Sequence, residues 1–568
     1  MKTALLFLLF SIFGWNSSAQ NLHLQIIGGS TSETRIIDSI SYLRKHKNTK
    51  SIQDEISEIS SKLSKIGYID NSLTDFHKVN DSVYITKQNL GKQIKFIHIY
   101  IGNDELLNNT ITLTKKKNNI ELPYFDTDSF LEETIQKLEQ KGYALATLKL
   151  TNIRRDKNIL YADLKFESNK KRKLNSITIQ YSNNRQSNKF PKGHLTQINR
   201  KYQNRIFNQK TVEEIYSDLN KFGFVNQIKY PEILFTNDTT KVFVYLEKKN
   251  SNTFDGFLGF SNDVNSKLTL NGYLDVKLEN ILAIGEQLSV FWKSDGNDQK
   301  TFNAQIEIPY LLKTPIGLKA QIQLFRQDTT FQNTKTSIEL SYFATYNTRF
   351  YLGYQSTESS DIQNSNNTSI SDFKNSYLTT SFEYTRLDSK NITFPIQSRF
   401  FTSLGIGKRD RNLLIENSEN KQFFANIQAM HTLYLNKKNS INLNSQNYYL
   451  KSNNYVINEL FRFGGFKSVR GFTENSLQAY FTTSILTEYR YILSSNLYIH
   501  SILDYCLYKN KTGLDLSNKT QNLIGVGIGI GLQTRNGLLK LAVANGSTKN
   551  QQFEISTSII HISYNVKF

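Results

Sequence analysis

Ile560-His-Ile-Ser-Tyr-Asn-Val-Lys-Phe568 closes the chain. Ile560, Ile562, Tyr564, Val566 and Phe568 alternate with His561, Ser563, Asn565 and Lys567, the period of two that gives a strand one apolar and one polar face. The same alternation recurs upstream. Leu268, Leu270, Leu274, Val276 and Leu278 interleave with Lys267, Thr269, Asn271, Asp275 and Lys277. Phe302, Ala304, Ile306, Ile308 and Tyr310 interleave with Asn303, Gln305 and Glu307, and Leu318, Ala320, Ile322 and Leu324 with Lys319, Gln321 and Gln323. Polar links rich in Asn, Asp, Ser and Gly separate the runs. No helical period interrupts them from about residue 253 to the end. At roughly 20 residues per strand and connection, this region predicts an all-β transmembrane barrel of about 16 antiparallel strands. Closure would remove the exposed edges of so long a sheet. A soluble sandwich shows the same alternation, so the decision rests on the rest of the chain.

The first residues, MKTALLFLLFSIFGWNSSAQ, place Lys2 before an apolar run and the small residues Ser17-Ser18-Ala19 after it. This is the pattern of a secretory signal peptide over residues 1–19. The run is too short to span a bilayer, and no later stretch reaches 18 apolar residues. Cys506 is the single cysteine, which excludes an internal disulfide framework and a lipid-anchor cysteine at the cleavage site. An exported chain of this kind is either soluble outside the cytoplasm or a membrane β-barrel. The chain ends on an aromatic, and Tyr564, Val566 and Phe568 form the C-terminal signal common in outer-membrane barrels, which favours the barrel. Lys plus Arg number 69 against 49 Asp plus Glu, a net charge of +20. Export argues against nucleic acid as the partner. Outer-membrane lipid or glycolipid headgroups suit the charge, as do merely well-solvated Asn/Lys-rich faces. Six prolines and 68 Tyr plus Phe suit long ladders and interface girdles.

Upstream, Leu63-Ser-Lys-Ile-Gly-Tyr68 recurs as Leu138-Glu-Gln-Lys-Gly-Tyr143 and Leu219-Asn-Lys-Phe-Gly-Phe224. Each closes a helical pattern. The first runs over about residues 51–65 with Ile52, Ile56, Ile59 and Leu63 on one face. The second covers about 128–141 with Phe130, Leu131, Ile135 and Leu138. The third covers about 211–221 with Val212, Ile215, Tyr216 and Leu219. The glycine is the expected C-terminal cap. Strand pairs follow, at 145–152 with 159–167 and at 227–235 with 241–248. The unit resembles the polypeptide-transport-associated (POTRA) domain, which implies strand addition at a sheet edge as the binding mode. The expected divisions are 20–100, 101–170 and 171–250 for three POTRA-like repeats and 251–568 for the barrel.

Phe461-Arg-Phe-Gly-Gly-Phe-Lys-Ser-Val-Arg-Gly-Phe472 has neither strand nor helix period and reads as a structured loop. Gly525-Val-Gly-Ile-Gly-Ile-Gly531 is followed by another strand, at 538–543, and not by a helix, so it is no phosphate loop. Its glycines leave room for something packed on the wall. With the repeats, the barrel and Val469-Arg470-Gly471-Phe472, the chain resembles the BamA/TamA superfamily of outer-membrane assembly barrels, the bacterial surface-antigen family. Glu307-Ile-Pro-Tyr310, Glu488-Tyr-Arg490 and Asp504 support the likeness. The segment 391–398, Tyr505 and Cys506 depart from the family pattern.

The resemblance implies that Val469, Arg470, Gly471 and Phe472 form a lumen loop, with Glu488 and Asp504 as partners of Arg470. It implies no enzyme, no metal and no cofactor. The histidines, His561 among them, read as solvated. The implied role is assembly or translocation at the outer membrane of a Gram-negative bacterium, with the repeats in the periplasm. There they would capture unfolded outer-membrane or secreted clients, with a seam opening between the first strand, near 254–261, and the last, 555–568. A periplasmic or inner-membrane accessory protein fits this scheme. Three repeats point to the TamA-like branch. A two-partner-secretion-type transporter of one client, or lipid transfer with a periplasmic partner, are the alternatives. A passive porin or adhesin needs no triplicated arm.

Overall fold

The computed structural model describes residues 21–111, 118–181, 190–262, 268–295, 299–363, 370–388, 391, 393–411, 420–511, 519–534, 537–549 and 552–567. The expected signal peptide and Phe568 lie outside them. The chain divides into two compact units. One runs to Lys173 and takes in Arg205–Thr211; the other holds Leu174–Asn204 and Val212–Phe568.

In the first module, Asn48 caps helix α2 (Thr49–Lys65) by accepting from the Ser51 amide. Ile52, Ile56, Ile59 and Leu63 recur at helical spacing and are all buried. They pack with Leu24, Ile26 and Ile37. Those come from β1 (Leu22–Gly28) and α1 (Thr31–Ser39), the latter a helix that sequence reading missed. β2 (Lys45–His46), β3 (Ser72–Lys78) and β4 (Val83–Asn89) complete a sheet of order β2-β1-β4-β3.

The second module repeats the plan. It comprises β5 (Phe96–Tyr100), a short α3 (Glu105–Asn108), β6 (Asn119–Pro123), α4 (Thr127–Gln140), β7 (Thr147–Asp156) and β8 (Ile159–Glu167), in order β6-β5-β8-β7. The boundary expected at residue 100 therefore moves upstream, because β5 pairs with β8 and β6. Gly67 and Gly142 cap α2 and α4 at φ +102° and +99°, where other residues are strained. Gly223 departs from this expectation. It is absent from the left-handed region, and a Cβ there would meet the Glu279 carboxylate at 2.5 Å.

The third module holds β9 (Ser176–Tyr181), α5 (Lys192–Tyr202), α6 (Gln209–Leu219), β10 (Val225–Gln227), β11 (Glu232–Phe235) and β12 (Thr240–Lys248). The strand expected over 227–235 is broken into β10 and β11; Pro231, between them, has no N–H to donate. α5 was also missed. It carries His194, fully buried among Phe190, Phe222, Phe224, Tyr310 and Tyr346, with ring centroids 4.7–6.0 Å away. Tyr310 and Tyr346 belong to barrel turns, and Gln197 and Arg200 donate to the Lys313 carbonyl beside Tyr310. This aromatic seat joins the third module to the barrel.

Burial, with a smaller contribution from Arg349, pushes His194 down to about 3 from its ordinary 6.5. Neither ring nitrogen has a hydrogen-bond partner. The undocked histidine binds a proton below 6.5 that the seated one refuses. The seat's stability is therefore complete above pH 6.5 and falls as pH drops toward 3, by up to about 1.4 kcal/mol per pH unit. Hydrogen exchange of α5, corrected for intrinsic rates, should accelerate up to about tenfold per pH unit in that window. In a His194→Phe variant it should not. The same acceleration in both proteins would rule His194 out.

Sixteen strands among the described residues close the barrel. They are β13 (Thr253–Asn262), β14 (Leu268–Glu279), β15 (Gln287–Asp295), β16 (Gln299–Ile308), β17 (Ile316–Gln327), β18 (Phe331–Thr345), β19 (Thr348–Asp361), β20 (Phe373–Leu387), β21 (Ile396–Arg411), β22 (Asn420–Tyr434) and β23 (Asn439–Lys451). After a hairpin of β24 (Phe461–Phe463) and β25 (Leu477–Ala479) come β26 (Phe481–Ser494), β27 (Leu497–Lys509), β28 (Gln521–Gln533), β29 (Gly537–Thr548) and β30 (Ile559–Lys567). Alternation sorts the two faces. Ile338, Leu340 and Tyr342 lie opposite Tyr354, Leu352 and Phe350, and all six point outward and are exposed. Glu339, Ser341 and Tyr351 point inward and are buried. An outer apolar belt round a polar interior is the pattern of a membrane barrel. The last strand starts later than residue 555, because Ile555–Thr557 forms a 3₁₀ turn.

Candidate functional site: a lumen loop and an incomplete seam

The connection from β23 to β26 folds back onto the inner wall. Gly464 and Gly465 sit at φ +102° and +100°, turning the chain out of β24. The Ser468 amide donates to the Gly465 carbonyl at 3.1 Å, which tightens the turn. The stretch expected to be all loop thus opens with a short strand, Phe461–Phe463, paired with Leu477–Ala479.

Beyond the turn, Val469 is fully buried with Phe463, Ala479, Leu486, Cys506 and Leu523. Cys506, one of the departures from the family pattern, is part of this apolar seat. Arg470 is 4% exposed. Its amide and Nε donate to Asp504 Oδ2 at 2.9 and 2.8 Å, and Nη2 to Oδ1 at 2.5 Å. Nη1 donates to Glu488. Arg490 donates to the other oxygen of Glu488, with Nε at 2.8 Å. Two guanidinium groups and two carboxylates thus form a neutral quartet, the condition under which such charges can be withdrawn from water. Asp504 lies on β27 and Glu488 on β26.

Glycine makes the close approach feasible. A Cβ on Gly525 would lie 2.2 Å from the Arg470 carbonyl oxygen. One on Gly546 would meet the Gly471 oxygen at 2.5 Å and the Phe472 ring at 2.8 Å. Gly471 itself, at φ +88°, comes within 2.4 Å of the Asn545 carbonyl carbon by the same measure. Gly529 and Gly531 instead make room for His500 and Tyr498 of the neighbouring strand.

A second anchor carries no sequence motif. Arg409, fully buried on β21, pairs with Glu459 in the 3₁₀ turn Ile457–Glu459 that precedes β24. Gln422 donates to the same carboxylate at 2.7 Å and accepts from the Tyr377 hydroxyl at 2.6 Å. Asn458 donates to Ser359 Oγ and the Ser371 carbonyl. Arg462 lies over Phe325 and Phe331 at 5.1 and 5.2 Å. Beside the loop the lumen retains a cavity of about 730 Å³, lined by Lys319, Lys335, Glu339, Tyr377 and Arg462 among others. His561, expected to be solvated, stacks on Phe466 of the loop at 5.1 Å.

Among the described residues, the barrel closes between β13 and β30 through three residue pairs: Thr253 with Lys567, Phe254 with Val566 and Asp255 with Asn565. Every other neighbouring pair of strands shares at least eight, the shortest being β15–β16 and β29–β30. The backbone of β13 beyond Asp255 pairs with β14 alone. Of the expected C-terminal signal, Val566 stands in the short ladder and Tyr564 just past it, exposed outward.

Residues 280–560, from the end of β14 to the start of β30, match the Omp85 superfamily domain. The structure is similar to that of BamA from Haemophilus ducreyi lacking POTRA domains 1–3. The TM-score is 0.50 and the identity 16%, covering 83% of this chain and 99% of that one. It is also similar to CdiB from Escherichia coli, with a TM-score of 0.50 and 11% identity over 90% of this chain and 98% of the other. At these identities the likeness is one of fold. A search among curated proteins finds no match.

Proposed function

The chain belongs to the Omp85 superfamily, and on that premise we propose that it inserts or exports β-rich client proteins at the outer membrane. The single observation that carries this reading is the seam. A closed barrel with one ladder of three pairs among ladders of eight or more has one place where a strand can change partners at small cost. Each backbone hydrogen bond contributes only about 1 kcal/mol net. An incoming strand that offers a longer ladder can therefore displace β30.

The modules, which we place in the periplasm, supply the capture step. Each sheet ends on an outer strand, β3, β7 and β11 in turn, and an outer strand is the template for strand addition. On β3 Leu73 is exposed, and on β11 Ile233 and Leu234 are. The loop held by Arg470 sits within reach of the seam, since Phe466 stacks on His561 of β30. Lipid enters as the solvent of the outer belt. No covalent step is needed.

Depleting the protein and quantifying the outer-membrane proteome tests this reading. The expected result is a fall in many unrelated β-barrels. Loss of one secreted protein with the barrels unchanged would make the chain a dedicated transporter and overturn the general role.

A further inference from the structure

The ladder between β13 and β30 stops at Asp255, and the carboxylate of that residue continues where the backbone does not. Its Oδ1 accepts from the Tyr564 amide at 3.2 Å and its Oδ2 from Ser563 Oγ at 2.9 Å, both on β30. Oδ1 also accepts from the Tyr273 hydroxyl of β14 at 2.6 Å. One side chain thus ties three strands together at the point where pairing ends. We propose that Asp255 is the clasp of the seam, a positioning residue whose release lets β30 part from β13. This rests on the reading above, in which the seam is where clients leave.

The setting makes the clasp conditional. Directly opposite Asp255 on β14 stands Asp275, a like charge at the closest cross-strand position, which disfavours the pair. Asp275 is engaged by Lys467 Nζ at 3.2 Å, from the loop that also carries Arg470. Drawing the loop away removes that cation and leaves the two carboxylates facing each other. Lys467, Asp275 and Asp255 thus give the seam an electrostatic link to the lumen loop, a weak one. Removing Lys467 alone should act weakly, because its side chain is 74% exposed and such pairs contribute little. Asp255 is the member to test.

Hydrogen exchange of the full chain in lipid nanodiscs reads this directly. In Asp255→Ala the peptides covering residues 559–567 should exchange about tenfold faster than in the unaltered protein. Asp255→Asn keeps one acceptor oxygen and should fall between. A disulfide from Thr253→Cys and Lys567→Cys, placed at a directly paired position, should return Asp255→Ala to slow exchange. Unchanged exchange in Asp255→Ala overturns the clasp. So does acceleration that spreads to β20 and β21, since that is general loosening of the barrel. If the clasp results hold but the stapled protein still inserts clients at the normal rate, the clasp stands and the seam is not their exit.

Discussion

Arg470→Ala is expected to release the lumen loop and to cost about 3–5 kcal/mol locally. The cost comes from what remains. Asp504 is fully buried, and truncation removes the two guanidinium donors to it, leaving a carboxylate on the inner wall held by the residue-470 amide without the arginine's charge. Glu488 suffers less, because Arg490 still holds it. Arg470→Lys keeps the charge and loses the fork that meets both Asp504 oxygens, and should give an intermediate loss. Removing both charges with Arg470→Ala and Asp504→Ala should recover part of the stability, since an absent pair costs less than a broken one. Trypsin access at Lys467 and the temperature at which the barrel loses its folded gel mobility measure the two effects. A loop as protected in Arg470→Ala as in the unaltered protein would show that the quartet does not hold it. The Arg409–Glu459 anchor makes that a fair test, because it pins the other end of the same connection.

The barrel was legible because period-two alternation is local and repeats through many strands. Ile338, Leu340 and Tyr342 need no distant partner to declare a face. The helices α2 and α4 were legible for the same reason, with a glycine cap marking each end. What was missed depends on distant partners or on weak local pattern. α1 and α5 are short, and α5 buries His194 against rings from residues 222–224, 310 and 346. The boundary at 100 failed because only the pairing of β5 with β6 and β8, both distant in sequence, assigns residues 96–100 to the second module. Asp504 and Glu488 could be named because they resemble positions in a family motif. Arg409 and Glu459 stand 50 residues apart with no motif, and only the folding of the connection after β23 back onto β21 brings them together. Asp255 looked like one polar residue among many, and nothing in the sequence marks where a ladder stops.

Gly525→Ala is expected to displace the same loop with every charge left in place. The added methyl would stand 2.2 Å from the Arg470 carbonyl oxygen. That oxygen is backbone, so no rotamer change relieves the clash, and either β28 or the loop must shift. β28 is paired on both sides along nearly its whole length, whereas the loop is not. The loop yields, at a cost of about 1–3 kcal/mol for an overpacked contact. Gly531→Ala is the matched comparison on the same strand and face. Its methyl meets the Tyr498 ring at 2.1 Å, away from the loop, so tryptic access at Lys467 should stay as in the unaltered protein. Gly525→Ala with a protected loop would mean that the wall, and not the loop, gives way. If Gly525→Ala and Arg470→Ala both impair client assembly to the same degree, the seated position of the loop is what matters. If only Arg470→Ala does, the guanidinium itself acts, and the loop is more than a plug held by charge.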